Sequence, residues 1–400
     1  MEFNVFQNNK ALMKVQEENG WKLYKFDDIL IDDTRNAIKI KKELYLEYGE
    51  YPIIDQGKNE IAGYTNEVEG IYKEEALVFG DHTRIIKYID FPIFLGADGV
   101  KLLKLKSNKE KISIKYLYYF LNTVKLPSDG YSRHFKYLKQ IVIPVPELDI
   151  QMKIVKCLDK AKELIDKRKK QIDILDELVK SKFIEMFGDP INNPMGWQVK
   201  KLKDISTKIL SGNTPKGGSE VYVDSGIMFF RSQNVWKNKL VLDDIAYIDE
   251  DTHNKMLKSS LKHRDILMTK TGRINTENSS LGRAAMYLGE DDKANINGHV
   301  YLIRLKEEIL NEFILFILTS KEYRGYIRSV CVGGIDKRQL NKEHIEDFPI
   351  IFPPIEQQKE FVTYVKQVDK LKFQMEKSLE ELQYNFNSLM QRAFNGELFI

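Results

Sequence analysis

The chain has 400 residues, 42% of them apolar, and a net charge of +3. The length suggests two or three domains, and the apolar content excludes a disordered chain. Two cysteines build neither a disulfide framework nor a zinc site, and no apolar run reaches the ~20 residues of a membrane span, so a reducing, cytoplasmic location is expected.

The first predicted domain, residues 1–146, has a pattern of short strands and turns. Apolar runs at 51–54 and 76–79 end in polar turn residues, and a third apolar run begins at Val100. Residues 114–124 carry apolar side chains at helical spacing and predict a buried helix. Proline at Pro144 and Pro146 forbids helix there and fixes where the next element begins.

The next segment, residues 147–187, is predicted to be one long helix. No Gly or Pro occurs from Ile150 to Phe187, and apolar residues recur at steps of three and four, which is the seam of a coiled coil. Only Arg168 interrupts the seam. A helix of this length would be roughly 57 Å long at about 1.5 Å per residue. Because one amphipathic helix cannot bury its own stripe, it needs a partner.

The second predicted domain, residues 188–353, repeats the plan of the first. A link rich in Gly, Asp, Pro and Asn ends the helix, and the pattern that starts at Trp21 returns at Trp197, 176 positions later. Apolar runs at 227–230, 266–268 and 300–303 predict strands. Each domain is therefore expected to be α+β.

The last segment, residues 354–400, supplies the partner helix from Ile355 to Phe394. When it is slid back by 207 positions, its apolar seam falls on that of the first helix, with Lys372 on Ile165 and Met375 on Arg168. The residues before the two helices match as well. One phase and one starting motif indicate a duplication of a whole domain-plus-helix unit.

Catalytic and metal-binding signatures are missing from the sequence. The glycines at 212, 217 and 218 lack the spacing of a phosphate-binding loop, and no nucleotide-fold fingerprint or zinc spacing occurs. The six histidines are scattered. We therefore expect no catalysis and no metal site in this chain.

Polar loops instead follow the predicted strands. Arg231, Ser232, Gln233 and Asn234 follow one strand, and the stretch Lys270-Thr271-Gly272-Arg273 follows another. Such side chains read base edges, with Arg or Lys on guanine and Asn or Gln on adenine. Two further loops, at 133–136 and 333–338, precede the long helices and either face DNA or only turn the chain. The competing interpretation is that polar residues end strands in any protein.

The architecture resembles the specificity subunit of type I restriction–modification systems. The second half carries this resemblance in the following motifs: Gly196-Trp197, Asp204-Ile205, Ser211-Gly212-Asn213-Thr214-Pro215, Arg231-Ser232-Gln233-Asn234 and Pro353-Pro354-Ile355-Glu356-Gln357-Gln358. The first half carries it in these: Asp55-Gln56-Gly57-Lys58, Phe79-Gly80-Asp81-His82-Thr83-Arg84 and Gly96-Ala97-Asp98-Gly99-Val100-Lys101. The first half lacks the Ser-Gly-Asn-Thr-Pro stretch, which makes its recognition domain a different subtype.

The resemblance implies an α+β protein with two α/β target recognition domains, separated by two long helices that form an antiparallel coiled coil and related by a pseudo-twofold axis. It implies a non-catalytic, sequence-specific subunit that reads an asymmetric, bipartite site on double-stranded DNA. Two methylation subunits, which bind S-adenosylmethionine, would be its partners, and restriction subunits can be added; no cofactor is expected in this chain. The residues expected to contact DNA are Gln56, Lys58, His82, Thr83, Arg84, Arg231, Ser232, Gln233, Asn234, Lys270, Thr271 and Arg273.

Two other hypotheses stay open from the sequence. One is a coiled-coil scaffold whose globular ends bind proteins; a DNA affinity that does not respond to salt would favour it, because phosphate contacts make affinity salt-dependent. The other is an enzyme that acts on nucleic acid alone, which turnover by the pure chain with DNA and S-adenosylmethionine would reveal.

Overall fold

A computed structural model describes residues 17–96, 99–107, 111–127, 130, 132–274, 276 and 278–399. The chain divides into two compact units. Unit 1 contains the described residues up to Gln171 together with those from Met375 onwards, and unit 2 contains Ile172–Gln374. Each unit combines one globular domain with part of both long helices. The four segments predicted from the sequence instead treat each domain and each long helix as separate, with boundaries at the helix ends.

The first domain lies in unit 1 and is built mainly from short strands. Its described strands are β1 Lys22–Lys25, β2 Leu30–Asp32, β3 Lys39–Ile40, β4 Tyr51–Ile54, β5 Gly63–Thr65, β6 Ala76–Gly80, β7 Ile86–Ile89, β8 Phe94–Gly96, β9 Val100–Leu105 and β10 Val142–Val145. Its helices are α1 Phe26–Ile29, α2 Ile114–Thr123 and α3 Phe135–Leu138, and the long helix α4 is Leu148–Phe187. The apolar runs predicted as strands are thus strands, and the predicted buried helix is α2.

Three sheets organise the first domain. A four-stranded antiparallel sheet has the order β2-β9-β6-β7, and a mixed sheet has the order β3-β8-β4-β5. The domain's first and last strands, β1 and β10, pair with each other and so bring its two ends together. All five residues of β6 are buried, so both faces of the strand are covered, which explains its unbroken apolar sequence.

The second domain lies in unit 2. Its described strands are β11 Val199–Lys201, β12 Ser206–Ser211, β13 Ile227–Phe230, β14 Val235–Trp236, β15 Lys239–Leu240, β16 Ala246–Ile248, β17 Ile266–Thr269, β18 Thr271–Arg273, β19 Ala284–Met286, β20 Ala294–Ile296, β21 Val300–Leu305, β22 Val332–Gly333, β23 Lys337–Gln339 and β24 Pro349–Ile351. Its helices are α5 Glu250–Lys255, α6 Asn311–Thr319, α7 Lys321–Val330 and α8 Lys342–Glu346, and the second long helix α9 is Ile355–Phe394.

The second domain repeats the frame of the first, as the duplication predicts. Its four-stranded sheet, β12-β21-β17-β19, matches β2-β9-β6-β7, and β11 pairs with β24 as β1 pairs with β10. A three-stranded sheet, β16-β13-β20, contains a parallel pair like that of β4 and β8. The second domain has two further sheets, β14-β15 and β18-β23-β22.

The two long helices pack against each other in antiparallel order in each unit. In unit 1, Leu158 of α4 and Met390 of α9 share one core. In unit 2, Phe183 of α4 and Phe361 of α9 share another, with ring centroids 5.3 Å apart. The start of one helix therefore packs with the end of the other, which confirms the predicted coiled coil. Most of the α4 seam is buried, whereas the α9 seam after Phe361 is half-buried.

Polar residues within the seams have polar partners. Lys372, which occupies the position of Ile165 in the other copy, pairs with Asp176 at 2.6 Å. The Arg168 side chain donates through Nε to Gln171 at 3.0 Å. These contacts explain how each seam tolerates a charge without leaving it buried and unpaired.

Both long helices begin with the same hydrogen-bonding arrangement, made by a glutamine in the first turn. The side-chain amide of Gln151 donates to the carbonyl oxygen of Pro146 at 2.8 Å, and that of Gln358 donates to Pro353 at 2.8 Å. Both glutamines are buried. This pair confirms the duplicated starting motif and gives it a role, because each glutamine ties the extended proline segment to the first turns of its helix.

Within the described residues, no helix combines the length and apolar character needed to cross a membrane.

Candidate nucleic-acid interface

In each domain, the loops that follow two parallel strands lie side by side. In the first domain, β4 and β8 are parallel neighbours, with Ile54 opposite Leu95. In the second, β13 and β20 are parallel neighbours, with Phe230 opposite Ile296. Because parallel strands end at the same edge of a sheet, each domain presents two loops together there. We call these edges the first and second loop edge.

The first loop edge brings together three of the predicted contact residues. The hydroxyl of Thr83 donates to the carbonyl oxygen of Gln56 at 2.7 Å, and the N–H of His82 donates to the side-chain oxygen of Gln56 at 3.3 Å. Gly99, at φ +63°, lies so close that a Cβ there would come within 2.7 Å of that oxygen. The loops after β4 and β6 therefore form one polar cluster, against which Gly99 packs closely.

Arg84 and Lys58 lie beside this cluster in different ways. The Arg84 backbone is left-handed, at φ +63°, and its guanidinium donates to the carbonyl oxygen of Leu126 at 3.2 Å. Lys58 is exposed two residues after Gln56. Ala97 and Asp98, which belong to one of the first-half motifs, lie outside the described residues.

Asp81 joins a further segment to the first loop edge. Its carboxylate accepts the N–H of Phe135 at 2.8 Å, and its carbonyl oxygen accepts the N–H of His134 at 2.9 Å. In addition, Nδ1 of His82 lies 3.3 Å from the carbonyl oxygen of Ser132. The loop before α3 is thus fixed beside the cluster, a placement that the sequence left undecided.

At the second loop edge, Arg231 and Gln233 share an acidic partner. The guanidinium of Arg231 lies 3.1 Å from a carboxylate oxygen of Asp244, and the Gln233 amide donates to the other oxygen at 3.1 Å. The hydrogen bond from Gln233, followed by the hydrogen bond and the positive charge of Arg231, lowers the pKa of the Asp244 carboxyl. Asp244 is therefore charged at neutral pH and neutralises part of the arginine's field.

Asn234 supports this loop from inside. It is 1% exposed; its side-chain oxygen accepts the N–H of Arg231 at 2.9 Å, and its amide donates to the carbonyl oxygens of Val241 and Asp244. In this conformation its amide has no face free for a DNA base. It instead fixes the turn that presents Arg231, Ser232 and Gln233.

Replacing Asn234 by Ala is expected to lower the free energy of unfolding by about 1–3 kcal/mol, because the Arg231 N–H and the Val241 carbonyl lose their side-chain partner. The Asp244 carbonyl keeps its second donor, the Arg231 guanidinium. Urea denaturation of the full chain measures this loss. Gln233→Ala, at the neighbouring exposed position, is the matched control and should change the free energy by less than about 0.5 kcal/mol. Equal effects of the two substitutions would show that Asn234 does not hold the turn.

The segment 297–299 joins the separate loops of the second domain. The N–H of Asn297 donates to the carbonyl oxygen of Phe230 at 2.9 Å, and the carbonyl oxygen of His299 accepts the N–H of Lys270 at 2.8 Å. Ser211 donates through its hydroxyl to Gly298 at 3.0 Å. The loops after β12, β13 and β17 therefore meet at this segment, where His299 is exposed and Asn297 half-buried.

Sequence reasoning missed Asn297 and His299 as candidate contacts. A signal was available, since their segment precedes strand β21 as the motif at 96–99 precedes strand β9. The structure also explains why residue 212 is a glycine, because a Cβ there would collide with the carbonyl oxygen of Ile296. This explains the glycine of the Ser-Gly-Asn-Thr-Pro stretch by close backbone approach.

The predicted residues Lys270, Thr271 and Arg273 continue from β17 into β18. This strand pairs with β23, so that Arg273 lies opposite Lys337. The Arg273 guanidinium also pairs with Asp336 at 3.2 Å. The loop after β17 is therefore joined to the loop before α8, the second loop whose role the sequence left open.

Across the described ranges, no three His, Cys, Asp or Glu side chains are grouped as metal ligands would be.

Fold and site together define a duplicated protein with two polar, loop-built edges, one in each domain. The family model of the type I restriction modification DNA specificity domain matches residues 18–175 and 194–383, and the chain belongs to this family. The two matches correspond to the two halves of the duplication.

Relatives and a solved structure agree with this assignment over nearly the whole chain. The type I restriction enzyme MjaVIII specificity subunit of Methanocaldococcus jannaschii is 23% identical over 428 aligned residues, which cover 100% of this chain and 97% of the relative. The EcoR124I/EcoR124II specificity subunit of Escherichia coli is 27% identical over 361 residues, covering 84% and 83%. The crystal structure of the type I S subunit from M. genitalium has the same fold, with a TM-score of 0.51, 17% identity and coverage of 94% and 96%.

Proposed function

We propose that this chain is the non-catalytic DNA-reading subunit of a type I restriction–modification complex. Each domain reads one half of an asymmetric, bipartite target on double-stranded DNA, and the long helices set the unread spacer. Two methylation subunits bind the chain and supply S-adenosylmethionine, and restriction subunits can join. The chain itself holds no cofactor.

The observation that carries this proposal is the pair of loop edges. Both domains have the same parallel strands, but different side chains follow them: Gln56 and Lys58 in the first domain, and Arg231 to Asn234 in the second. Base edges are distinguished by such donors and acceptors, so two edges with different side chains read two different half-sites. A common frame with unlike loops therefore favours an asymmetric target.

The candidate residues take different parts in this function. Gln56, Lys58, His82, Thr83 and Arg84 contact DNA at the first edge. At the second edge, the contacts come from Arg231, Ser232, Gln233, Lys270, Thr271 and Arg273, to which the geometry adds Asn297 and His299. Asn234 positions its loop. Arg231 reaches DNA by leaving Asp244, whose negative charge disfavours random phosphate binding and so raises selectivity.

The long helices offer apolar positions for the methylation subunits. Met152 and Leu164 are exposed on the part of α4 in unit 1, and Leu178 and Leu371 are exposed on the helices of unit 2. Exposed apolar side chains on a helix suit a partner helix that buries them. Because the duplication provides such positions in both units, the proposal has two methylation subunits.

Methylation mapping of the host DNA tests the half-site assignment. Arg84→Ala is expected to relax or lose recognition in one half of the target only, and Arg231→Ala in the other half only, since each residue lies in a different domain. A lost base contact costs about 1–3 kcal/mol of discrimination. Lys203→Ala, which removes an exposed cation paired with Asp347, is the control. If both variants methylate the unchanged target at the unchanged rate, the contact assignment is wrong.

A further inference from the structure

The most exposed large apolar side chain among the described residues is Ile335, which is 89% exposed. It lies at the tip of what we call the ribbon, formed by strands β22, β23 and β18. Single exposed apolar residues are common on protein surfaces and need no function. The setting of Ile335, rather than its exposure alone, therefore has to carry any conclusion.

The backbone around Ile335 is held in place on both sides. The Arg338 side chain donates through Nε to the carbonyl oxygen of Gly334 at 3.2 Å, and the carbonyl oxygen of Asp336 accepts the N–H of Ile274 at 3.0 Å. Gly333 has φ +134°, and a Cβ there would come within 2.8 Å of the carbonyl oxygen of Lys337. The tip is thus a preformed turn that holds its apolar side chain in solvent.

The ribbon is also basic. Lys337 and Arg338 lie on β23, and exposed Arg328 lies in the last turn of α7, the helix that leads into the ribbon. The acidic residue at the tip, Asp336, is already paired with Arg273. Burial, with the nearby charge of Arg328, lowers the pKa of Arg324. The surroundings of Ile335 therefore favour a polyanion, not an acidic or purely apolar partner.

We propose that the ribbon docks into the major groove of target DNA, where Lys337 and Arg338 bind phosphates and Ile335 packs against a thymine methyl group. The major groove, about 12 Å wide, admits a two-stranded β-ribbon, and the minor groove is only about 6 Å wide. The thymine methyl is the apolar group displayed there. This inference rests on the proposed function and adds strands β22 and β23, with Ile335, to the contacts assigned above to Thr271 and Arg273 of β18.

DNA binding by the full chain tests the ribbon with a labelled duplex carrying the target mapped in the host. Ile335→Ala is expected to weaken binding by about tenfold without changing the salt dependence, because no phosphate contact is lost. Lys337→Ala should lower the slope of log affinity against log salt by about 0.9. Leu288→Ala, which truncates another exposed side chain (68%) near acidic Glu290 and Asp291, is the matched control and should bind as the wild type does.

Deoxyuridine in place of thymidine isolates the methyl contact. The wild type should bind the uracil duplex more weakly than the thymine duplex, and Ile335→Ala should lose most of that difference. If Ile335→Ala matches the wild type on both duplexes while the wild type prefers its target, the ribbon inference is overturned and the proposed function stands. If the wild type shows neither salt dependence nor target preference, the proposed function itself fails.

Discussion

Deleting one heptad from each long helix, residues 167–173 and 374–380, is expected to shorten the unread spacer of the methylated target or to abolish methylation. The two segments are equivalent under the 207-residue shift, and a heptad keeps the seams nearly in phase. A heptad spans about 10 Å of helix at 1.5 Å per residue. That is close to three base pairs at about 3.4 Å each. Methylation mapping measures the new spacing.

A deletion in one helix alone is the informative control. It leaves the seam of the other helix without its facing residues, so it should destabilise the chain without producing a new, shorter spacing. The unfolding midpoint of both deletions has to be measured beside the mapping. Retention of the original spacing by the folded double deletion would show that the helices do not set it.

Replacing Phe361 by Ala is expected to lower the free energy of unfolding by about 3–5 kcal/mol. Phe361 is fully buried in unit 2, where its ring lies 4.9 Å from that of Phe316, 5.3 Å from that of Phe183 and 5.7 Å from that of Phe187. It therefore joins both long helices to α6 of the second domain. Because whole domains are stable by only about 5–15 kcal/mol, the loss is large.

Urea denaturation followed by circular dichroism measures this effect. Leu371→Ala, on the same helix, is the control, since that side chain is 41% exposed and its loss should cost about 1 kcal/mol or less. Because the chain has two compact units, the transition is to be examined for two steps. A Phe361→Ala variant as stable as Leu371→Ala would mean that the aromatic cluster does not hold the helices to the domain.

The helices were the most predictable part of the fold because their signal is local. A period of three and four residues marks α4 and α9, and prolines mark where they start; the observed first helix begins at Leu148, two residues before the predicted seam. The strand runs were equally visible, since strands such as β6 and β17 are buried and uninterrupted. The duplication then predicted that the second domain repeats the first.

Strand pairing was not predictable, because it joins residues that are distant in the sequence. Nothing in the sequence near Phe230 indicates that its strand lies parallel to β20, so the contact of Asn297 with that loop could be inferred only by analogy with the motif at 96–99. Composition alone also placed Asn234 among the predicted DNA contacts. In the structure its side chain is buried and makes three hydrogen bonds within its own loop. Propensity identifies polar loops, but only the fold separates a side chain that faces outward from one that supports the turn.

The shared frame of the two domains bears on how new specificities arise. In both, buried strands carry the stability while the side chains at their ends vary, so a substitution such as one at Lys58 leaves the core unchanged. On the proposed function, each half of the target can then evolve independently of the other. The range of reachable targets grows as the product of the two loop repertoires, and exchange of one whole domain between relatives creates a new target in a single recombination event.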